Sequence, residues 1–201
     1  MLRGPIKLKE IRTDRLLIRP VQLSDAVLMH SAMKDSFPQL KRWMPWAQGL
    51  ASVRDTEVYL IHGERIWSSP VQEGTEQPLQ IMDPTDRIYY GATGIKPANV
   101  QIPSFEIGYW VNQLYVGRGL ITESMNALSR YLFDVLNAKR IEINCEENNT
   151  KSANVARRLN YDLEGVLRNH RTDASGKNVS NSLIFSCVDI KRLPPQTYRY
   201  E

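Results

Sequence analysis

The sequence predicts a single mixed α/β domain over residues 1–201, with a sheet rich in adjacent hairpins and helices packed on it. Three observations carry this expectation. The chain has 201 residues, 42% hydrophobic and 24% charged, the size and balance of one globular core and outside the range of disordered or fibrous chains. The apolar spacing switches between period 2 and period 3.6 in the order β-α-α-β-β-β-α-β-α-β-β, which is not the strict alternation of a doubly wound sheet. No segment recurs at a period of 20–50 residues, which excludes solenoids and propellers.

RLLIRPV (15–21) alternates as a strand and loses its ladder at Pro20. Ser24 is the expected cap of a helix over LSDAVLMHSAMKD, with Ala26, Met29 and Met33 on its apolar stripe. Pro45 and Gly49 make RWMPWAQGL (42–50) irregular. A second helix over 53–67 places Val58, Ile61, Arg65 and Tyr59, His62, Ile66 at helical spacing. Residues 68–86 carry Pro70, Gly74, Pro78 and Pro84 and read as loop, with PLQIM as the one candidate strand and D-P-T-D as a turn. Strands follow at RIYYGATGI (87–95) and SFEIGYWV (104–111). In the second, Phe105, Ile107, Tyr109 and Val111 share one face and Glu106, Gly108 and Trp110 the other. Ile121, Met125, Leu128, Leu132 and Val135 mark a long amphipathic helix from about Leu120 to Asn137. Strand RIEINCEE, a helix around SANVARRLN, and the pair LEGVLRNHR and NVSNSLIFSCVDI across D-A-S-G-K complete the order.

Several function classes are disfavoured. Cys145 and Cys187 have no C-x-x-C partner and read as reduced core residues, which suits the cytoplasm. MLRGPIKLKE lacks an apolar leader core, and no run approaches the ~18 apolar residues of a membrane span. The net charge of +4 is spread over Arg12/Arg15/Arg19, Lys139/Arg140 and Arg157/Arg158, which read as solvated surface or as contacts to an anionic partner. Without a dense basic stripe or interleaved aromatics, no specific nucleic-acid partner is expected. His30, His62 and His170 have no ligand spacing, so no metal is assigned.

Two segments point to chemistry. VGRGL (116–120) sits at a strand-to-helix turn and is either a tight turn and nothing more or a place where Gly117 and Gly119 let backbone approach a ligand and the helix N-terminus faces an anion, with Arg118 adding charge. In EENNTKSANVARRLNYDLEG (146–165), Asn149 and Ser152 lie where a strand meets a helix and either cap it or reach into a cleft. Taken together, FEIGYWV, V-G-R-G-L-I-T-E-S and N-x-x-S-A-N-V-A-R-R-L-N-Y-D-L-E-G-V-L-R resemble the GCN5-related N-acetyltransferases, the GNAT superfamily. Within it the chain resembles the RimJ/RimL-type ribosomal-protein N-terminal acetyltransferases, as do TDRLLIRPVQLSDA and RWMPWA. The resemblance spans about Ile11 to Asp189.

The resemblance implies the GNAT fold, a central, mostly antiparallel twisted sheet with splayed middle strands and flanking helices. It implies acetyl-CoA as cofactor, with Val116, Gly117, Arg118, Gly119, Leu120 and Ile121 as its pyrophosphate loop. Tyr109, Trp110 and Val111 become the backbone that pairs with the pantetheine arm, and Asn149 and Ser152 flank pantetheine and thioester. A homodimer is also implied. The chain departs from the family pattern at Val116 and Ile121, and at Ala156, where many relatives keep a catalytic Tyr. Asn181 stands where this branch often has Asp.

In such a reaction a neutral amine attacks the thioester, an oxyanion forms and a thiolate leaves. Strand amides near Gly108–Trp110 are the expected oxyanion donors, aided by a bulge at Gly108. Ser152 is the candidate acid for the sulfur and Glu106 the candidate base; Glu106 also reads as an ordinary cross-strand carboxylate. Trp43 and Trp46 either pack on the sheet or wall a substrate cleft around Pro45. The expected acceptor is a protein N-terminal α-amine, of a ribosomal protein in the resemblance. A small amine or antibiotic, or a non-catalytic module binding CoA or nucleic acid on the same fold, is the alternative.

Overall fold

The computed structural model describes residues 4–201, so the first three residues of the stretch read above for a leader lie outside the described residues. Strands form at β1 (Ile11–Arg12), β2 (Leu17–Pro20), β3 (Gln77–Met82), β4 (Tyr89–Asn99), β5 (Ser104–Val111), β6 (Arg140–Glu146), β7 (Asp162–Thr172), β8 (Val179–Cys187) and β9 (Arg199–Tyr200). Helices are α1 (Ala26–Trp43), α2 (Val53–Trp67), α3 (Leu120–Asp134) and α4 (Thr150–Arg158). The expected element order holds; only the two-residue β1 and β9, too short for any periodicity, are additions.

The strands form one sheet in the order β7-β8-β6-β5-β4-β3-β2-β1-β9. Every neighbouring pair is antiparallel except β5 and β6. Period-2 alternation splits the core into two layers. On one face Ile18, Ile81, Ile95, Phe105 and Ile107 pack under α3 and α4, against Met125, Leu128 and Leu132. On the other, Leu17, Val21, Met82, Tyr89 and Ala92 pack under α1 and α2, against Met29, Met33 and Leu60. Fully burying one such Leu or Met contributes about 1.5–3 kcal/mol, so α3 is held by its apolar stripe rather than by helix propensity.

Several local expectations are corrected. Ser24 does not cap α1. A turn of 3-10 helix over Leu23–Asp25 comes first, and the Asp25 carboxylate accepts from the Gln22 N–H at 2.9 Å. Asp25 also holds Arg19 at 2.7 Å, with Asp86 on the other side at 2.9 Å. Arg19 is therefore a buried tie between β2, the start of α1 and the β3–β4 turn, not solvated surface. Helix α2 buries Thr56, Leu60 and Gly63 and leaves Val58, Tyr59 and Ile61 exposed. A Cβ on Gly63 would lie 2.5 Å from Val21 Cγ2, so this helix docks closer to the sheet than a side chain permits. Gly108 is not a bulge: it pairs regularly with Gly94, and the nearest irregularity falls between Pro97 and Asn99.

Candidate active site

The site begins with a broken ladder. Strand β5 pairs with β4 along its length, but with β6 only from Ser104–Glu106 to Arg140–Glu142. Beyond Glu106 the two strands diverge, so one backbone edge of Ile107–Val111 has no β6 partner. The gap opens into a cleft of about 1310 Å³, walled by Tyr109, Trp110 and Val111 on one side and by Ile143, Asn144 and Cys145 on the other. That exceeds the ~300–1,000 Å³ of ordinary ligand pockets and suits a long, flexible ligand that can pair with a strand edge.

One end of the cleft carries the positive end of a helix dipole. Ser36 of α1 accepts from the Gln113 N–H at 2.9 Å and fixes a turn of 3-10 helix over Gln113–Tyr115. The chain then passes Gly117 (φ +83°) and Gly119 (φ +76°), a backbone region costly for any residue with a Cβ. Gly119 stands at the N-cap of α3, where no side chain caps the first turn. The N–H groups and the positive end of the helix dipole are thus available to phosphate. Val116, Gly117, Gly119, Leu120 and Ile121 line the cleft. Arg118 does not; its guanidinium lies 5.1 Å from the centre of the Tyr115 ring. Arg15 does line the cleft. It donates to the Arg118 carbonyl at 3.1 Å and to Glu123 at 2.7 Å, tying the loop to the first turn of α3.

At the open end of the gap, α4 points its N-terminus inward. Asn149 caps it, its Oδ1 accepting from the Ser152 N–H at 3.2 Å. Ser152 is therefore released from capping, and its Oγ lies 3.0 Å from the Tyr109 hydroxyl, which is also 3.1 Å from the Ser152 carbonyl oxygen. Burial pushes the Tyr109 phenol well above its ordinary pKa, and the bond to Ser152 opposes this only in part. Burial likewise raises the Cys145 thiol, again opposed by Ser152. The cluster is neutral near pH 7, with protons available on three side chains. Ala156 is fully buried behind it.

On the α1 side, Trp43, Met44 and Trp46 line the cleft with Trp110, which packs 5.7 Å from Tyr89. Trp46 is 56% exposed, so it walls the mouth rather than packing on the sheet. Glu106 shares the Gly108/Trp110 face, as alternation requires, but the structure does not bring it to the cleft. It lies where β5 and β6 are still paired, opposite Glu142, and faces Lys96 at 3.6 Å. The sheet register, invisible to alternation, decides this. Asn181 donates to Glu147 at 2.8 Å, outside the cleft.

Sequence reasoning missed Arg15, Cys145, Glu146, Arg158 and Arg171 in the cleft wall, and the tail residues Pro194–Thr197. Arg15 and Arg158 carried a signal as basic residues, but nothing local distinguishes them from surface charge. The tail is held over α3 by Asn126 and Arg130, which donate to the Pro194 carbonyl at 2.9 and 2.7 Å, and by Gln196, which donates to the Glu123 carbonyl at 3.0 Å. Among the described residues no group of three or more His, Cys, Asp or Glu is arranged to hold a metal, and no helix is long and apolar enough to cross a membrane.

Residues 15–162 match the family described as Acetyltransferase (GNAT) domain. The [ribosomal protein uS5]-alanine N-acetyltransferase of Escherichia coli K12 is 26% identical over 167 residues, 80% of this chain and 81% of that protein. Among solved structures, RimL, a ribosomal L7/L12 α-N-protein acetyltransferase in complex with coenzyme A as a cysteine disulfide, superposes with a TM-score of 0.77. It is 19% identical, covering 94% of this chain and 98% of that one. A microcin C7 self-immunity acetyltransferase in complex with acetyl-CoA and AMP gives 0.75 at 21% identity, covering 88% and 94%. At these identities the two structures speak for the fold.

Proposed function

The chain belongs to the GNAT acetyltransferase family, and from that premise we propose that it acetylates the α-amine of a protein N-terminus, with a ribosomal protein as the acceptor class. Membership makes it an N-acetyltransferase, which removes the non-catalytic alternative. Acetyl-CoA is the cofactor of this family, and the cleft fits it on three counts: an unpaired strand edge, an uncapped helix N-terminus behind two left-handed glycines, and Arg15, Lys151, Arg158 and Arg171 in the wall. When bound, acetyl-CoA supplies an activated thioester carbonyl.

The chain's own groups do the rest. The α3 N-terminus and the Gly117–Gly119 backbone hold the phosphates. The free edge of β5 orients the arm, and its N–H groups near Gly108–Trp110 face the developing oxyanion. The Ser152 hydroxyl holds the proton destined for the sulfur.

The observation that carries the α-amine reading is the thin supply of base in the cleft. Glu106 is engaged by Lys96 outside it, Glu123 is engaged by Arg15, and Ala156 offers no hydroxyl, which leaves, among the described residues, the exposed Asp14 and the half-buried Glu146 as carboxylates of the wall without an ion-pair partner. An α-amine of pKa about 8 is about one-quarter neutral at pH 7.5, whereas a lysine amine near 10.4 is neutral to about one part in a thousand. A site so weakly armed suits the former. The Trp43/Trp46 wall frames an extended chain end; it also suits a ring-bearing small amine, the second reading. An acceptor of the first kind places the enzyme in the cytoplasm. The homodimer implied by the resemblance is part of the same proposal and is checked by light scattering.

The test is a calorimetric titration with acetyl-CoA, then mass spectrometry of peptides with free N-termini and of a small-amine panel. Micromolar binding, about −8 kcal/mol, with acetylated N-termini supports the reading. Turnover of small amines alone supports the second reading. No binding up to millimolar contradicts both.

A further inference from the structure

We propose that the Tyr109 phenol is a positioning residue that acts through Ser152, aiming the Ser152 proton at the leaving sulfur and stabilising Ser152 once that proton has gone. The inference rests on the acetyl-transfer reading above and gives the Tyr109 side chain a role separate from its strand backbone.

The phenol carries one proton and has two acceptors, the Ser152 carbonyl oxygen at 3.1 Å and the Ser152 Oγ at 3.0 Å. If the phenol donates to the carbonyl, the close Oγ contact is satisfied by the serine O–H donating to the phenol oxygen. Its proton then points away from the gap. If the phenol turns to Oγ, the serine proton is free to turn into the cleft. The two states differ by rotation of two O–H bonds and need no heavy-atom movement.

The surroundings favour this exchange. Asn149 takes the Ser152 N–H, so the Oγ has no capping duty. Tyr109 projects from β5 against the α3-side core, and Ser152 sits in the first turn of α4. The two hydroxyls therefore meet across the divergent gap from rigid elements, and both line the cleft. Burial keeps the phenol protonated at physiological pH, so it remains a donor. Helix α4 lacks a phenol at Ala156; here one arrives from the opposite strand and acts one hydroxyl removed.

The step balances. The amine lone pair forms the N–C bond and the C–S bonding pair leaves on sulfur. The Ser152 proton goes to that sulfur while the phenol donates to the serine oxygen. Ser152 then recovers, through cleft water, the proton the amine has lost.

The experiment compares Tyr109→Phe, Ser152→Ala and the double variant by kcat, by the acetyl-CoA dissociation constant, and by the pH dependence of free coenzyme A binding. Ser152→Ala is expected to lower kcat about 10²-fold, the usual scale of a placed proton donor, and Tyr109→Phe about tenfold. The double variant falls no further than Ser152→Ala, and the acetyl-CoA dissociation constant stays within about twofold throughout. A hydroxyl donating to the bound thiolate lowers the pKa of that thiol below its value in free coenzyme A, so wild-type binding of coenzyme A tightens as pH rises between the two values. Both single variants flatten that rise. Additive losses in the double variant, unchanged kcat in Tyr109→Phe, or a loss confined to cofactor binding overturns the inference. Protein that binds coenzyme A but acetylates no amine overturns the functional reading, and the thiol titration then still decides the role of Tyr109. Protein that binds no coenzyme A overturns both.

Discussion

Ser152 matters because Asn149 relieves it. A serine at the start of a helix usually spends its hydroxyl on a backbone N–H; here the asparagine three residues earlier accepts that bond and the hydroxyl meets Tyr109 instead. Asn149→Ala therefore has two effects: a loss of about 1 kcal/mol in stability from the missing cap, read by urea unfolding, and a lower kcat as Ser152 turns back to its own helix. Glu106 illustrates the opposite case. Alternation along SFEIGYWV identifies its face, but only the register shows that it lies below the point where β5 and β6 part, paired with Lys96. Glu106→Gln is expected to keep kcat/KM within about twofold across pH 6–9; a loss of tenfold or more would return it to the mechanism. The roles of Asn149 and Ser152 were legible as a pair, but which side chain caps and which is free was not, because both can do either.

At the scale of elements, the glycine turn was a weak signal by itself that gained weight beside the Asn149–Ser152 segment; only glycine takes left-handed φ cheaply at both positions. Gly119→Ala (φ +76°) is expected to cost about 1 kcal/mol in stability and to weaken acetyl-CoA binding severalfold by moving the first N–H groups of α3, both measurable by calorimetry. Helices and strands were legible where periodicity was strong. The start of α1 was not, because Ser24 and Asp25 both suit a helix start and the buried partner Arg19 decides between them. A further tie joins β6, β7 and β8: Arg140 and Ser186 hold the Glu164 carboxyl down to about 2, with Arg140 donating at 2.8 Å and Ser186 at 2.7 Å. A carboxylate depressed in the folded state adds stability that is full above its unfolded pKa of about 4.3 and is lost as pH falls toward 2. The pair is largely exposed, so the effect is below about 1 kcal/mol. Glu164→Gln should flatten the decline of unfolding free energy between about pH 5 and 2; an unchanged slope would deny the tie.

Across the whole molecule, the cleft comes from one topological fact: seven antiparallel pairings join the sheet, and the one parallel pairing comes undone after three residues. The order of elements was readable, and with it the fold class. The divergence of β5 and β6 came only with the family resemblance, which implied splayed middle strands; periodicity does not show it, since both strands look regular. The C-terminal tail was equally illegible. It crosses α3, contributes Pro194–Thr197 to the cleft and ends as β9 beside β1, held by single hydrogen bonds without sequence periodicity. Gln196→Ala, which removes the bond to the Glu123 carbonyl, should weaken acetyl-CoA binding by severalfold or less while leaving the acceptor KM unchanged.

The central claim, a site that acetylates an already neutral α-amine, is tested most directly by kcat/KM for two peptides across pH 7–9.5. One carries a free N-terminus and no lysine, and the other a blocked N-terminus and one lysine. The account predicts a preference for the α-amine of roughly 10²-fold near pH 7.5 that narrows to about tenfold by pH 9.5, as the neutral fractions converge. A preference for lysine, or a ratio that does not change with pH, would contradict it.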